Sequence, residues 1–345
     1  MRIALFALAT CAALSVPASA LVQEAAADES LWVHYEPGEG HSGPGVGKRI
    51  VLVAGDEEYR SEEALPMLAQ VLTRHHGFHT TVLFSTNADT GEIEPNEQTN
   101  IPGLHQLADA DLAFFFLRFR ELPDDQMRHI VDYVASGKPL IGIRTSTHAF
   151  DYKRNRESPY AHWTWRGSAW ERGFGGQILG ETWVAHHGHH GREATRGLPN
   201  QEVADHPVLR GVDDVFGPTD VYTVRNLPED ATVLLWGQVL AGMEPDSPPV
   251  EGQKNEPMMP LAWVRELQGP SSARQRVMCS TLGASIDLVA EGSRRLFINS
   301  AYWCLGMEDQ IPERSVVDTV GEYAPTMFGF NRAQQGVRAQ DHAWD

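Results

Sequence analysis

Four histidines crowd into six positions at His186–Gly191, the stretch HHGHHG, in a chain that carries 15 histidines in all. Imidazole can ligate a transition metal, hydrogen-bond a polar ligand, or carry a proton near neutral pH. A zinc site would need three or four donors converging at roughly 2.0–2.2 Å. In an extended segment neighbouring side chains face opposite ways, so His187 and His189 would share a face. In a helix His186 would instead face the same way as His189 or His190. Gly188 and Gly191 weaken the helical option and favour a turn-forming loop. The H-E-x-x-H spacing of zinc proteases is missing from the stretch, so the tract is not a metal site by itself.

Its partners must come from elsewhere. Asp56, Glu57, Glu58 and Tyr59 follow the apolar run VLVAG. Arg118 and Arg120 follow FFFL, and Arg144, Thr145, Ser146, Thr147 and His148 follow PLIGI. The expected metal ligands are His148, His186 and His189, with an oxygen from Asp56, Glu58 or Asp220. Zinc or another divalent transition metal suits such donors. The alternative is that these histidines hydrogen-bond ligand hydroxyls or nearby carbonyls, and the sequence leaves both readings open. No nucleotide cofactor is expected.

These positions matter because of the elements that hold them. KRIVLVAGD (48–56) is a continuous apolar run ending in Gly-Asp, as in a strand buried on both faces. SEEALPMLAQVLTRHHG predicts a helix with Ser61 as N-cap and Gly77 as its stop. FHTTVLF (78–84) and DLAFFFLRF (111–119) predict strands, and residues 123–137 a helix with Pro first and Gly last. KPLIGIRTSTHAF (138–150) predicts a strand running into a loop. Later strands are expected around ATVLLWGQ, MPLAWV and RVMCSTLGA, with a final helix at EGSRRLFINSAYWCLG. The alternation implies an open α/β fold with a mostly parallel sheet, helices on both faces and loop insertions. Ligands of such sheets bind beyond the carboxyl ends of the strands, where the polar residues above converge.

The bulk properties narrow the partners. Residues 1–20 have the form of a signal peptide, with Arg2, an apolar run and small residues up to Ala20, so export to the periplasm or medium is expected. That run is too short for a permanent anchor. The chain has 28 Lys+Arg against 46 Asp+Glu. Without Arg2 the count is 27 against 46, a net charge near −19 that disfavours nucleic acid. Cys279 and Cys304 read as buried small residues rather than a disulfide framework. Residues 21–46 read as an acidic, Gly/Pro-rich leader packing weakly on the body, 47–310 as one domain, and 311–345 as a tail. Within the tail, YAPTMFGF could clamp the body. His206, before Pro207, reads as structural. His75, His76 and His79 flank a helix end, where imidazolium favours the dipole. HWTW (162–165) with Trp170 suggests either a stacking platform or anchors for an insertion.

Several blocks together resemble the trehalose-utilisation (ThuA-like) family: VLVAGDEEYRSEEALPMLAQVL, GKPLIGIRTSTHAF, GGQILGETWVAHHGHHG, ADHPVLRGV and GPTDVY. The resemblance spans roughly residues 48–310. It implies a flavodoxin-like, class I glutamine-amidotransferase-like fold and a sugar substrate, a disaccharide or a 3-keto derivative. His148, Gly180, Trp183, His186, His206, Asp220 and Tyr222 match family positions. Glu181 stands where the family has a second Gly, and Thr219 replaces an acid. An amidotransferase of this fold needs a Cys after the PLIGI strand, and RTSTH has none, which argues against that activity. No nucleophile elbow surrounds Ser146. The resulting expectation is a sugar-processing enzyme with His148, His186, Asp56 and Asp220 as catalytic groups. Glu58, Arg118, Arg144, Thr145, Trp183 and Tyr222 would bind substrate. A non-catalytic sugar- or metal-binding protein serving a partner enzyme is the alternative. The oligomeric state is left open by the sequence.

Overall fold

Alternate side chains of the first long strand part into two cores. Ile50, Leu52 and Ala54 join one cluster, and Val51 and Val53 the other, as the two-residue period of a strand requires. The same division splits Phe114 and Phe116 from Ala113, Phe115 and Leu117 on a neighbouring strand. Both faces of the sheet are therefore covered. The computed structural model describes residues 28–270 and 274–344. The expected signal peptide and the first residues of the leader lie outside the described residues.

In chain order the elements are β1 (Trp32–Tyr35), β2 (Arg49–Gly55), α1 (Ser61–His76), β3 (His79–Phe84), β4 (Leu112–Leu117), α2 (Asp124–Ala135) and β5 (Leu140–Ile143). Then follow β6 (Thr195–Pro199), β7 (Val215–Gly217), β8 (Ala231–Val239), β9 (Met259–Gln268), β10 (Arg274–Ser280) and α3 (Glu291–Cys304). Short 3-10 turns and one π turn, Gly175–Leu179, connect them. Helices α1 and α3 pack with the first core, and α2 with the second, which also takes Trp163 and Phe174 from the long insertion.

The fold is α/β, with one sheet of ten strands in the order β1-β3-β2-β4-β5-β10-β9-β8-β6-β7. The expectation of a mostly parallel sheet is corrected. The β3-β2-β4-β5-β10 segment is parallel, while β1 and all of β9, β8, β6 and β7 pair antiparallel. Among the described residues no α-helix lies between β5 and β10, so helix-mediated parallel crossovers give way to hairpin-like antiparallel pairing, and α3 comes only after the last strand.

The leader also differs from expectation. Instead of packing weakly, it supplies edge strand β1, whose Trp32 and Tyr35 are buried. The C-terminal tail covers that edge: Gln340 Nε2 donates to the Trp32 carbonyl at 2.8 Å, and Tyr35 donates its hydroxyl to the His342 carbonyl at 2.7 Å. Helix α1 begins after Arg60 with no side-chain cap, because the Ser61 hydroxyl is turned back to accept the Asp56 N–H at 3.0 Å. His76 is not an imidazolium on the helix dipole; burial pulls its pKa down to about 4, against the opposing hydrogen bond with the Val316 carbonyl. Both Cys279 and Cys304 are free and buried. Among the described residues no helix is long and apolar enough to cross a membrane.

Candidate active site at the strand ends

Beyond three parallel strands stand non-glycine residues at positive φ: Arg60 (60°), the residue before α1, Phe119 (51°) two residues past β4, and Arg144 (43°) directly after β5. Left-handed backbone at such residues costs roughly 1–3 kcal/mol each and clusters at functional sites. The loops beyond β2, β4 and β5 meet one another there, through Thr145–Asp56, Arg118–Glu57, Phe119–His148 and Arg144–Tyr59, and line one crevice.

Asp220 is the centre of that crevice. Its side chain is fully buried and meets His186 Nδ1 at 2.7 Å through Oδ2 and His190 Nδ1 at 2.9 Å through Oδ1. Arg144 Nη2 lies 3.4 Å from Oδ1. Burial pushes the Asp220 carboxyl up, but the hydrogen bonds of His186 and His190 and the Arg144 charge outweigh it and hold the pKa well below the ordinary range. Asp220 is therefore a carboxylate at neutral pH. Opposite it, His190 Nε2 lies 3.4 Å from Glu58 Oε1, so the side chains run His186–Asp220–His190–Glu58. Burial and then the Asp56 charge raise the Glu58 pKa, against Arg118, Arg144 and His190.

The histidine loop reaches Asp220 by pairing as an extended segment. His187 and Gly188 donate their N–H groups to the Val221 carbonyl at 2.8 and 3.1 Å, and Thr223 donates to the Ala185 carbonyl at 2.9 Å. A Cβ on Gly188 would sit 3.2 Å from Cβ of Asp220, so the loop is pressed against its partner there. The chain then turns at His189, whose carbonyl accepts from Arg192 and Glu193, and this turn brings the His190 ring to 4.9 Å from the His186 ring. His186, His190 and Asp220 each offer one ligand atom within 4.8 Å of the others. Among the described residues they are the group whose donors could hold a metal ion.

The grouping differs from the expected ligand set. His189 is exposed and outside the donor group, as is His187, whose Nε2 contacts the Lys254 carbonyl at 2.8 Å. His148 is also outside it. Its ring is buried among Phe119 (4.9 Å), Trp183 (5.7 Å), Trp165 (6.0 Å) and Tyr222 (6.5 Å). Burial first, then the Arg118 and Arg144 charges, holds its pKa well below the usual value, and Nδ1 lies 3.1 Å from the Thr147 hydroxyl. His148 is thus a neutral member of an aromatic wall.

Other expected residues serve the frame. Asp56 is buried; Oδ1 accepts the N–H groups of Glu58 and Tyr59 and Oδ2 the Thr145 hydroxyl at 2.5 Å. Its carboxylate shapes the loop after β2 rather than facing a ligand. The Ser146 hydroxyl donates to the Phe115 carbonyl at 2.6 Å and accepts the Leu117 N–H at 3.1 Å, a bracing role. Arg144 is fully buried between Tyr59 and Tyr222, its guanidinium carbon 4.0 and 4.4 Å from the ring centroids. Arg118 pairs with Glu57 and lies 3.6 Å from Glu58. Trp183 packs 5.6 Å from His186 and 5.9 Å from Trp165, joining the donor group to the aromatic wall. The HWTW segment divides: Trp163 is buried and stacked on Phe174 as an anchor, while Trp165 lines the wall beside His148. His206 caps the turn at Pro207–Leu209, its Nδ1 accepting the Val208 N–H. Thr219 donates its hydroxyl to the buried Asp287 at 2.7 Å, and that carboxylate also accepts the Gly283 and Ala284 N–H groups.

Two site residues were missed. The sequence offers His190 as a partner of His186 only in a helical stretch and assigns it no role; the turn at His189 brings the two rings together without a helix. Phe328, from the YAPTMFGF segment, packs 5.0 Å from His190 and 5.6 Å from Tyr59. The tail's aromatic pattern was the available signal for it.

No protein-family model matches the chain, and no curated protein does. Solved structures similar to it include a ThuA-like protein from Parabacteroides merdae, at 15% identity and a TM-score of 0.45, covering 86% of this chain and 99% of that one. A second, a ThuA-like protein from Bacteroides uniformis, is 12% identical with a TM-score of 0.45, covering 78% of this chain and 95% of that one. A likeness of this degree carries no reaction, substrate or ligand over to the chain.

Proposed function

We propose that this chain is an exported, metal-assisted enzyme acting on a neutral disaccharide or its 3-keto derivative. The observation that carries the reading is the convergence of His186, His190 and Asp220 within 4.8 Å of one another, beside a wall of aromatic rings. Two imidazoles and one carboxylate suit zinc or a similar divalent ion. Held there, such an ion supplies Lewis acidity toward a carbonyl oxygen. The carboxylate and Arg144 charges are already balanced in the buried base of the site, so the donor group is preorganised rather than assembled on binding.

The chain's own groups can move protons. As the alternative to ligating an ion, His186, with Nδ1 on Asp220, has its other ring nitrogen to act as acid or base, and it is the more exposed partner of the pair. Glu58, with its raised pKa, is the second candidate for a proton carrier. Trp183 and Trp165 offer flat apolar surface for a sugar ring. Arg118 is neutralised by Glu57 and Glu58, which favours an uncharged ligand over an anionic one.

The test is elemental analysis and Zn²⁺ calorimetry on protein purified without chelator or histidine tag, paired with product analysis on keto-disaccharides. Stoichiometric metal and turnover, both lost in His186→Ala, are the expected results. Absence of both from the wild type would overturn the reading, and saturable sugar binding without product would make the chain a binding protein.

A further inference from the structure

The tail segment 326–330 crosses the mouth of the crevice and is fastened at several points. Thr326 donates its N–H and hydroxyl to Glu63 at 2.8 and 2.5 Å. Gly329 donates its N–H to the Glu58 carbonyl at 2.7 Å, and the fully buried Arg60 guanidinium donates to the Gly329 carbonyl. Phe330 lies over Arg118, its centroid 4.9 Å from the guanidinium carbon.

We infer that this strap is part of the candidate metal site, with Phe328 acting as the positioning residue for His190. Phe328 is 6% exposed, while the His190 side chain is 35% exposed, so the apolar contact covers one side of an otherwise accessible ring. Tyr59 meets the same imidazole edge-on at 6.2 Å and itself packs on Phe328. Glu58 links the two halves: its carbonyl receives the strap and its carboxylate faces His190. The His190 ring is thereby confined between a strap that fixes its orientation and the Asp220 oxygen that fixes its tautomer. Neighbours of this kind set metal affinity by about 10- to 100-fold without touching the ion.

The inference rests on the metal reading for one arm of its test and not for the other. In the first arm, the full chain is titrated with Zn²⁺ as wild type, Phe328→Ala and Phe328→Leu, with thermal unfolding followed alongside. Phe328→Ala should bind about tenfold more weakly, and Phe328→Leu, which keeps apolar bulk against the ring, should recover most of that affinity. In the second arm, amide hydrogen exchange at Gly329 is compared between wild type and His190→Ala without metal. Exchange at Gly329 should quicken about tenfold while amides around Gln340 keep their rates, because only the strap loses its partner. Wild-type Zn²⁺ affinity in Phe328→Ala, or unchanged Gly329 exchange in His190→Ala, would overturn the inference. If the wild type binds no Zn²⁺ the metal reading fails, and the exchange arm alone decides whether strap and histidine are coupled.

Discussion

Arg144 and Asp220 form an ion pair in which both side chains are fully buried, with Nη2 of the arginine 3.4 Å from Oδ1 of the aspartate. Arg144 also donates to the Thr281 carbonyl at 2.6 Å, tying the loop after β5 to the end of β10. Removing one member of such a pair strands the other charge in a low-dielectric interior, at a cost of about 3–5 kcal/mol. Arg144→Ala should lower the unfolding free energy obtained from urea titration by an amount in that range. Arg144→Lys should recover little, because an ammonium cannot fill the flat slot between Tyr59 and Tyr222. Equal stability of Arg144→Lys and wild type would show that the slot is unimportant.

The buried histidines predict an acid dependence whose sign is fixed. The pKa of His148 is held down in the folded chain, and that of His76 is pulled to about 4. A group with a depressed folded pKa takes up its proton in the unfolded chain first. Stability is therefore intact above the unfolded histidine value of about 6.5 and falls as pH drops below it. Urea midpoints measured from pH 7.5 to 5 should decline, and His148→Phe, which keeps an aromatic ring in the wall, should flatten the decline. A slope unchanged by that substitution would mean that His148 takes up its proton without unfolding.

Ser146 stands beyond β5 beside the crevice, yet its hydroxyl is committed to two backbone groups. Ser146→Ala should cost about 1–3 kcal/mol of stability, because it leaves buried backbone partners short of a hydrogen bond. Turnover, measured on the substrate that the wild type processes, should be retained. A loss of several orders of magnitude with the fold intact would restore serine chemistry.

Gly188 is pressed to within 3.2 Å of Asp220 at the position where a side chain would begin. Gly188→Ala should push the histidine loop outward by a few tenths of an ångström. That shift separates His186 from its carboxylate more than it disturbs the core, so Zn²⁺ affinity should drop several-fold with little change in melting temperature. Calorimetry and thermal unfolding on the same sample separate the two effects.

What the sequence disclosed follows its local physics. The runs that became β2, β3, β4 and β5 are buried on both faces, and their apolar continuity marks them without reference to any partner. β1, β6 and β7 have three to five residues each, and β6 contains Gly197 and Pro199, so no local pattern distinguishes them from loop. Strand direction beyond β5 depends on which strand lies alongside, a tertiary fact that period and composition do not encode. The site divides in the same way. Asp220, His186 and Arg144 were legible because they stand beyond apolar runs or in matching motifs. His190 was not, since its proximity to His186 depends on one turn at His189 and on register between residues 185–188 and 221–223. Asp56 and His148 carry the right functional groups, but their burial turns them into framework.

The fastening of Gly329 by Arg60 joins positions 269 residues apart. The crevice therefore draws on the beginning, the middle and the last stretch of the polypeptide together. During synthesis the ends of β2, β4 and β5 and the histidine loop emerge long before Phe328, and they wait without it. The same stretch that brings Phe328 to the crevice also sends Ile311 and Val317 into the first core, so the enclosure and the packing of α3 share one segment.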